Sequence, residues 1–418
     1  MMLIHFVNIA ALLSCLSLEL NAQSAGSIGA PPGRVLAGNA WHAVADDNDQ
    51  GLYLVAWSER GREGARIRAA LLSAGQRDRI TYVDMEHVPD GYEDVRPAVA
   101  WLNTDTAAIA WQRSGAGEKQ VLMRLVTRDA SLPSQTVRLS DSDASSMTPM
   151  LRRSANGDVL AVFQDFRNGN LDVYARRIDT QGRPVDAAVR VNDDAGNALQ
   201  GSPRLSSDSR YNFVILWSDN RNDGKWKLYY QLWDGGLKGA NVLLDSAQRK
   251  AMTIVASAVY VSEDTVMFAW KDYREGHSNI YRRIGDIRNA SLTPAERVND
   301  DDGEQWQRLP VMDGDGAGNI VMCWEDYRNT HSNQRGDIYM QIFNRDGTVR
   351  GDNQRVNDGE HRVSRENPII AMGRDGTYLI LWHQASEGVF HLFGQWFRLP
   401  DERLGSNFCL SCELHNTR

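Results

Sequence analysis

The chain has 418 residues, 42% of them hydrophobic and 24% charged, with a formal net charge of -8 at pH 7. This apolar fraction excludes a disordered chain, and a total of four cysteines excludes a scaffold built on disulfides. The negative charge argues against a nucleic-acid ligand held by phosphate contacts. Only six of the 46 basic residues are lysine, so we expect many Asp–Arg pairs, because arginine binds carboxylates bidentately and lysine does not.

Residues 1–22 have the pattern of a targeting segment. The stretch is apolar through Leu18, and a small residue, Ala22, precedes a cleavage point at Gln23. We expect a secretory signal and an exported mature protein, either secreted or periplasmic. A lipoprotein signal modified at Cys15 and a transmembrane anchor are the alternatives. No later segment approaches 18 consecutive apolar residues, so we expect no membrane span once the signal is removed.

One repeat of 52 to 58 residues accounts for most of the remaining chain. An aromatic residue closes an alternating apolar run at seven positions: Trp57, Trp111, Phe163, Trp217, Trp270, Trp324 and Trp382. A proline lies 14 residues before this aromatic in five copies, and Arg-Val-Asn recurs in three, beginning at Arg190, Arg297 and Arg355. Repeats of this length are typical of propellers, so the repeat decides the fold before any single motif is considered.

Each unit is predicted to contain four short strands. In the third copy these are 149–151, 159–163, 173–178 and 188–191, all rich in β-branched or aromatic residues and bounded by turn residues. No segment shows a sustained helical period. Four strands in each of seven units predict an all-β protein, a seven-bladed β-propeller over residues 31–399, followed by a tail at 400–418.

Loop lengths predict which strand of each blade lies at the centre of the ring. The longest connection runs from Arg-Val-Asn to the proline, as a return from the rim requires, so the proline strand is innermost. The seventh unit shows no fourth strand of the usual kind, whereas residues 33–36 directly precede the first inner strand. We therefore expect the N-terminal strand to complete the last blade and close the ring, which removes two open sheet edges.

Copies three to six share the motif Trp/Phe-x-Asp-x-Arg at the end of the second strand. Its charged residues are Asp165 and Arg167, Asp219 and Arg221, Asp272 and Arg274, and Asp326 and Arg328. As a binding site, they would form a half-ring around the channel mouth, suited to an anionic or polyhydroxylated ligand. As a structural element, the aspartate would cap the turn and the arginine would pair with a carboxylate. The three copies that lack the motif break the symmetry of the ring.

A second motif, Tyr-Arg-x-x-His, occurs only in copies five and six. Its members are Tyr273, Arg274 and His277, and Tyr327, Arg328 and His331. Tyrosine, histidine and arginine on adjacent blades would provide the base, the acid and the cation that a lyase needs beside a uronate carboxylate. The alternative is a recent duplication of one blade, with ordinary loop histidines. Three further histidines lack a matching motif: His42, His361 and His383.

The return loops between blades are acidic. Their carboxylates are Asp193 and Asp194, Asp300 to Asp302 with Glu304, and Asp358 with Glu360. Clustered oxygen ligands suit Ca²⁺, whereas solvated turns that cap their own backbone are the alternative. No other metal or cofactor is predicted.

The C-terminal tail contains Cys409-x-x-Cys412-x-x-His415. Two thiols and one imidazole are one ligand short of a closed zinc site, and in an exported protein we expect a local disulfide instead. Cys323 lies beside Trp324 in a predicted core strand, so we expect a small buried side chain there.

The repeat units resemble those of exported bacterial seven-bladed β-propeller proteins. The shared pattern Trp-x-Asp-x-Arg, Asp-Ile-Tyr and Arg-Val-Asn-Asp stands here at 324–328, 337–339 and, in the preceding copy, 297–300. The resemblance covers residues 31–399 and implies the architecture. Families of similar architecture include polysaccharide lyases, glycosidases and lectins, so fold alone does not imply an activity.

These features favour an exported, monomeric propeller that binds a glycan or protein ligand on its loop-rich face and no nucleic acid. The alternative is a carbohydrate-active enzyme, above all a polysaccharide lyase acting on an acidic glycan. His277, His331, Tyr273 and Tyr327 are then the candidate catalytic residues, with the Asp/Arg motifs as binding residues.

Overall fold

The computed structural model describes residues 38–412, except 155–156, 209–211, 222–223, 250–255, 331–334, 360–362 and 387. Within these residues the chain is all-β and has no helix, and therefore no helix that could cross a membrane. Seven antiparallel sheets follow one another along the chain and form the blades of a seven-bladed β-propeller, as predicted. The expected signal segment 1–22, with Cys15, lies outside the described residues.

The strands fall into seven groups in chain order. Blade one contains β1 (Asn39–Asp47), β2 (Leu52–Gly61), β3 (Gly64–Ser73) and β4 (Gln76–Val83). Blade two contains β5 (Tyr92–Trp101), β6 (Thr106–Gly115), β7 (Glu118–Thr127) and β8 (Val137–Arg138). Blade three contains β9 (Ser146–Arg153), β10 (Val159–Asp165), β11 (Asp172–Ile178) and β12 (Val189–Arg190). Blade four contains β13 (Gln200–Ser207), β14 (Asn212–Asp219), β15 (Trp226–Asp234) and β16 (Leu237–Arg249).

The remaining three blades follow the same plan. Blade five contains β17 (Ala256–Ser262), β18 (Thr265–Asp272), β19 (Asn279–Asp286) and two short outer pieces, β20 (Ser291–Leu292) and β21 (Glu296–Arg297). Blade six contains β22 (Gln307–Gly314), β23 (Ile320–Asp326), β24 (Asp337–Phe343) and β25 (Val349–Arg355). Blade seven contains β26 (Arg365–Met372), β27 (Thr377–Ser386), β28 (Val389–Arg398) and β29 (Glu402–Cys409).

The second strand of each blade is buried on both faces, because it packs against a neighbouring blade on each side. In β2, Tyr53, Val55 and Trp57 join an apolar cluster with blade seven, whereas Leu54 and Ala56 join one with blade two. The same alternation along each second strand produces seven clusters, each shared by two adjacent blades. The repeat aromatics therefore form the core between blades.

The strand order confirms that the proline strand is innermost. In blade three the order is β12-β11-β10-β9, and β9, which carries Pro149, contacts the first strands of both neighbouring blades. The outer strand β12 ends at Arg190 of the Arg-Val-Asn run. Strands that carry the run thus lie at the rim, as their long return loops require.

The ring closes differently from the prediction. Blade seven has its own fourth strand, β29, which pairs antiparallel with β28. The prediction that the N-terminal strand completes this blade is wrong, because C-terminal residues occupy that place; residues 33–36 lie outside the described part of the chain. Residues after 399, predicted as a tail, contribute this strand. The sequence pattern did not reveal β29 because this strand ends at Cys409 and is followed by Leu410-Ser411, where the matching blades have Arg-Val-Asn.

Side chains join the first blade to the last. The Tyr53 hydroxyl donates to the Thr377 carbonyl (2.7 Å), and the Tyr82 hydroxyl donates to the Leu410 carbonyl (2.8 Å). The ring of Tyr53 also packs edge-on against Trp396, with centroids 4.8 Å apart. Among the residues that the structure describes, blades one and seven are thus joined by apolar packing and hydrogen bonds and not by a shared sheet.

We call the end of the ring where first strands begin and second strands end the upper face, and the other end the lower face. At the lower face, Arg152 of blade three pairs with Asp313 of blade six (2.5 Å) and lies 3.5 Å from Asp46 of blade one. Because blades three and six lie on opposite sides of the ring, these pairs cross the channel. We therefore expect ligands to approach from the upper face.

Candidate functional site on the upper face

The Asp-x-Arg motif of blade six forms a closed structure on the upper face. The Asp326 carboxylate accepts hydrogen bonds from the Trp324 indole (2.8 Å), the Arg328 amide (2.9 Å) and the Arg328 guanidinium (2.8 and 3.0 Å). The guanidinium also lies 4.3 Å from the Tyr339 ring centroid and donates to Asp300 of blade five (2.6 Å). The motif therefore links two adjacent blades.

The other three motifs repeat this geometry. Each arginine binds the aspartate two residues before it and stacks on a tyrosine of the third strand. The pairs with the preceding blade are Arg167–Asp141 (2.8 Å), Arg221–Asp193 (2.5 Å) and Arg274–Asp245 (3.4 Å). Guanidinium donors are thus used within the protein, which favours the structural interpretation of Asp165, Asp219, Asp272 and Asp326 over ligand binding.

Arg328→Lys should lower the free energy of unfolding by about 1–2 kcal/mol, because lysine keeps the charge but loses the bidentate pairing and the stacking on Tyr339. Asp326 is completely buried and would lose part of its hydrogen bonding. Urea denaturation measures the change. Arg350→Lys is the control, since Arg350 is exposed and its replacement should change stability little. Equal stability of both variants would contradict the role of the motif as a link between blades.

A bulge near the upper end of the first strand recurs in six blades. Each bulge places a residue other than glycine at a φ of 49° to 55°: His42, Arg96, Thr148, Ser202, Leu309 and Asn367. Such residues rarely adopt this left-handed conformation, and each costs on the order of 1 kcal/mol. A side chain of the preceding blade accepts a hydrogen bond from the bulge amide in three of them, Ser58 for Arg96, Gln112 for Thr148 and Glu325 for Asn367.

These accepting side chains directly follow the repeat aromatic. We call the seven equivalent residues the polar ring: Ser58, Gln112, Gln164, Ser218, Lys271, Glu325 and His383. The polar ring is neutral in blades one to four and ionisable in blades five to seven. Neutral oxygens suffice to accept an amide hydrogen bond, so the packing of the ring does not explain the ionisable members.

Two further ionisable residues lie directly opposite the polar ring on the first strands. Arg308 pairs in register with Glu325, and Glu366 pairs in register with His383. We call Lys271, Arg308, Glu325, Glu366 and His383 the ionisable arc. The arc spans blades five to seven and supplies the asymmetry that a ligand site in a repeated ring needs.

Glu325 is buried in the ionisable arc. One carboxyl oxygen accepts the Asn367 amide (2.7 Å), and the other accepts the Tyr327 hydroxyl (3.3 Å). Burial raises the pKa of Glu325 to about 7, and the neighbouring Glu366 raises it as well, whereas the Asn367 amide and Arg308 oppose the shift. A carboxyl with a pKa near neutrality takes up and releases protons readily at physiological pH.

Arg308 lies between two aromatic rings. Its guanidinium carbon is 4.4 Å from the Trp306 ring centroid and 5.0 Å from the Tyr327 ring centroid. Unlike the guanidinium groups of the motif arginines, the guanidinium of Arg308 makes ring contacts but no hydrogen bond or ion pair with another residue in the described part of the chain. The stacking holds the guanidinium plane while leaving its N–H donors for a carboxylate or a similar oxyanion.

The arc continues towards blade one. Glu366 is half-buried and accepts a hydrogen bond from the Ser364 hydroxyl (2.8 Å), and burial raises its pKa. Burial lowers the pKa of His383 to about 4, and burial with the charge of Arg96 lowers the pKa of His42. Both imidazoles are therefore neutral at pH 7.

The structure separates the four predicted catalytic residues. The Tyr327 hydroxyl binds Glu325, whereas Tyr273 is 47% exposed and its ring centroid lies 5.2 Å from the Lys271 ammonium. His277 is half-buried between β18 and β19, and its Nε2 is buried without a hydrogen-bond partner among the described residues. His331 and His361 lie outside the described residues. Of the four, Tyr327 is thus joined to the ionisable arc.

Sequence reasoning missed Arg308, Glu325 and Glu366. A signal for Glu325 was present, because the residue after the repeat aromatic reads Ser, Gln, Gln, Ser, Lys, Glu and His around the ring. No sequence pattern indicated Arg308 and Glu366, because their position beside the polar ring depends on the pairing of the first and second strands within a blade.

The predicted calcium loops use their carboxylates within the protein. Asp193 and Asp300 bind motif arginines, and Asp358 pairs with Arg403 (2.8 Å). Within the described residues, the group of three or more metal-ligating side chains with close ligand atoms is His391, Cys409 and Cys412. Calcium at the acidic loops stays a prediction.

The cysteine predictions are confirmed. Cys409 and Cys412 form a disulfide, with Cα atoms 5.6 Å apart. Cys323 is a free, completely buried side chain, and burial raises the pKa of its thiol.

No family model matches the sequence, and no curated protein shows significant similarity to it. Among solved structures, the polysaccharide lyase Uly1 aligns with 90% of this chain and 95% of its own, at 10% identity and a TM-score of 0.55. A fungal alcohol oxidase of the AA5 family aligns with 90% of this chain and 77% of its own, at 13% identity and a TM-score of 0.51. The α-L-arabinofuranosidase Arb93A from Fusarium graminearum aligns with 75% and 95%, at 10% identity and a TM-score of 0.49.

The first two alignments show a shared fold, and at these identities they show the fold alone. The resemblance of the repeat units to exported bacterial proteins therefore stays a prediction.

Proposed function

We propose that the protein is a carbohydrate-active enzyme that cleaves an acidic polysaccharide by β-elimination on its upper face. The observation that carries this proposal is the cluster of Arg308, Glu325 and Tyr327. It places the guanidinium of Arg308 beside the ring of Tyr327, whose hydroxyl donates a hydrogen bond to a carboxyl with a pKa of about 7. The shared fold with a polysaccharide lyase supports the proposal by analogy.

Arg308 would bind the carboxylate of a uronate residue. Two parallel hydrogen bonds from a planar guanidinium match a carboxylate, and they become stronger as charge develops on it when the adjacent C–H proton is removed. Trp306 would hold the guanidinium in place and present an apolar face to the sugar ring. A carboxylate bound in this way lies beside the ring of Tyr327.

Tyr327 and Glu325 would take the proton. The Tyr327 oxygen accepts the proton of the carbon next to the carboxylate while its own hydroxyl proton passes to Glu325, so no free phenolate is formed. Burial raises the pKa of the Tyr327 hydroxyl, which disfavours a phenolate and favours such a coupled transfer. Glu366, whose pKa is also raised, would protonate the leaving glycosidic oxygen.

A binding protein for a glycan or protein ligand on the same face is the second candidate. The open donors of Arg308 fit either function. The buried carboxyl of Glu325 favours the enzyme, because the equivalent places in blades one to four carry neutral groups. Export of the mature protein, expected from residues 1–22, remains part of the proposal.

The test is to incubate the mature protein with a panel of uronate polysaccharides and follow the ultraviolet absorbance of unsaturated products. We expect cleavage of at least one of them and a loss of about a hundredfold in kcat/KM for Arg308→Ala, since a charge-assisted bidentate contact is lost. Arg374→Ala, at the lower face, is the control and should keep wild-type activity. Affinity for a polysaccharide without any cleavage would contradict the enzyme and support the glycan-binding protein. No cleavage and no affinity would contradict both the enzyme and the glycan-binding protein.

A further inference from the structure

The outer edge of blade seven departs from the other blades at equivalent positions. In blade six, the Val356 amide donates to the Ile338 carbonyl (2.7 Å), and Asn357 accepts the Ile338 amide (2.7 Å). In blade seven, the Leu410 amide donates to the Leu392 carbonyl (2.7 Å) in the same way, and Ser411 accepts the Leu392 amide (3.0 Å). Cys409-Leu410-Ser411-Cys412 is thus the structural counterpart of Arg355-Val356-Asn357-Asp358.

Besides the two cysteines, a third residue of blade seven differs from its counterparts in the other blades. His391 directly precedes Leu392, just as Asp337 precedes Ile338 in blade six and Asp172 precedes Val173 in blade three. In those blades the aspartate faces the arginine of the outer strand, at 3.8 Å from Arg355 and 3.9 Å from Arg190. Blade seven therefore replaces an arginine and two aspartates by two cysteines and a histidine.

The three replacing side chains lie together. One ring nitrogen of His391 and the two sulfur atoms of Cys409 and Cys412 are all within 4.8 Å of one another, and all three residues are half-buried. Two thiolates and one imidazole are ligands that Zn²⁺ prefers, with metal–sulfur distances of about 2.3 Å and metal–nitrogen distances of about 2.0 Å. The disulfide alone does not explain why a histidine lies beside the two cysteines, because a disulfide needs only the cysteines.

We propose that Cys409, Cys412 and His391 form a redox-gated site for a thiophilic cation such as Zn²⁺. In the oxidised protein the two sulfurs are bonded to each other. A dithiol reductant supplies two electrons and two protons, breaks the sulfur–sulfur bond and is itself oxidised to a disulfide. The cation then displaces the two thiol protons and binds both thiolates and the neutral imidazole.

The location gives this site a structural consequence. The Leu410 carbonyl, between the two cysteines, accepts the Tyr82 hydroxyl of blade one (2.8 Å). The disulfide closes the turn between Cys409 and Cys412, whereas a bound cation would close the same turn and also join it to His391 of β28, at the seam between blades one and seven. Reduction without metal removes both links.

The test titrates Zn²⁺ into the full chain in the presence of a chromophoric chelator, before and after reduction with a phosphine that does not bind the metal. We expect about one Zn²⁺ bound by the reduced protein and none by the oxidised protein. Co²⁺ in place of Zn²⁺ should give thiolate-to-cobalt charge-transfer bands only after reduction. His391→Ala should weaken binding by about tenfold or more while leaving the disulfide intact.

The matched control restores the repeat of blade six. The triple variant His391→Asp, Cys409→Arg, Cys412→Asp keeps Cys323 and should bind no Zn²⁺ under reducing conditions. Circular dichroism checks its fold; if it does not fold, the oxidised wild-type protein serves as the non-binding reference. Zn²⁺ binding by the reduced wild type no tighter than by either reference, or unchanged binding by His391→Ala, would overturn the proposal.

Discussion

Glu325→Gln should lower the proposed lyase activity on the order of a thousandfold, the contribution of a positioned acid–base group. Glutamine has nearly the same shape and keeps an oxygen that can accept the Asn367 amide. It also stands naturally at the equivalent ring places in blades two and three, as Gln112 and Gln164. The substitution therefore removes proton uptake and leaves the packing of the ring unchanged.

The same substitution should stabilise the protein at alkaline pH. Glu325 has a pKa of about 7 in the folded state against a reference value of 4.5, so the folded protein holds its proton more tightly than the unfolded chain. Stability contributed by the protonated carboxyl is thus lost as the pH rises from about 4.5 to 7. A shift of this size corresponds to about 3 kcal/mol, which Glu325→Gln should recover above pH 7.

Gln112→Glu in blade two is the matched control for both effects. It places a carboxyl at the equivalent buried site, where it should lower stability above pH 7 without changing turnover. Urea denaturation at pH 5 and pH 8, with activity assays at the same pH values, measures all three proteins. If Glu325→Gln is as active as the wild type, the carboxyl does not serve proton transfer; if it is less stable than the wild type at pH 8, Glu325 serves the packing.

Arg152→Ala should lower the free energy of unfolding by about 3 kcal/mol or more, because it leaves buried carboxylates without their cation. Arg152 bridges the channel between Asp46 and Asp313, whose side chains are 15% and 8% exposed. Burial already raises the pKa of Asp46 to about 6, and Arg152 holds it down against that effect. Guanidinium chloride denaturation measures the loss.

The pH dependence of Arg152→Ala distinguishes the loss of an ion pair from the loss of packing. Without the guanidinium, the pKa of Asp46 rises further in the folded state, so the variant loses stability more steeply as the pH increases. The stability difference from the wild type should therefore be larger at pH 8 than at pH 5. Arg374→Ala is the control: its pair with Asp49 is exposed and is worth less than about 1 kcal/mol. Equal losses in the two variants would contradict a structural role for the pairs across the channel.

The repeat allowed the fold to be predicted from the sequence. Trp57, Trp111 and their counterparts recur at one position because each second strand is buried between two blades, and such burial requires a large apolar side chain. The last strand, β29, was missed because it does not follow the repeat pattern. Cys409-Leu410-Ser411 makes the backbone contacts of Arg-Val-Asn with different side chains, so the sequence pattern did not reveal β29.

Only part of the candidate site could be predicted from the sequence. Tyr327 and its neighbours stood out because a motif repeats, and the structure joins Tyr327 to a buried acid. Asp165, Asp219, Asp272 and Asp326 stood out for the same reason, yet their arginines are saturated by their own loops and by the preceding blade. Repetition marks what every blade needs, whereas a ligand site depends on what differs between blades.

The sequence by itself determined the seven-fold repeat, the all-β class, the inner and outer strands, the buried thiol of Cys323 and the disulfide of Cys409 with Cys412. These follow from local patterns, since spacing and alternation act along the chain. Only the tertiary structure decided how the ring closes, that the Arg308 guanidinium makes no hydrogen bond to another described residue, and that the Glu325 carboxyl is buried beside it. Those features arise where residues far apart in the chain meet in one ring, and burial there sets their charge and their remaining hydrogen bonds.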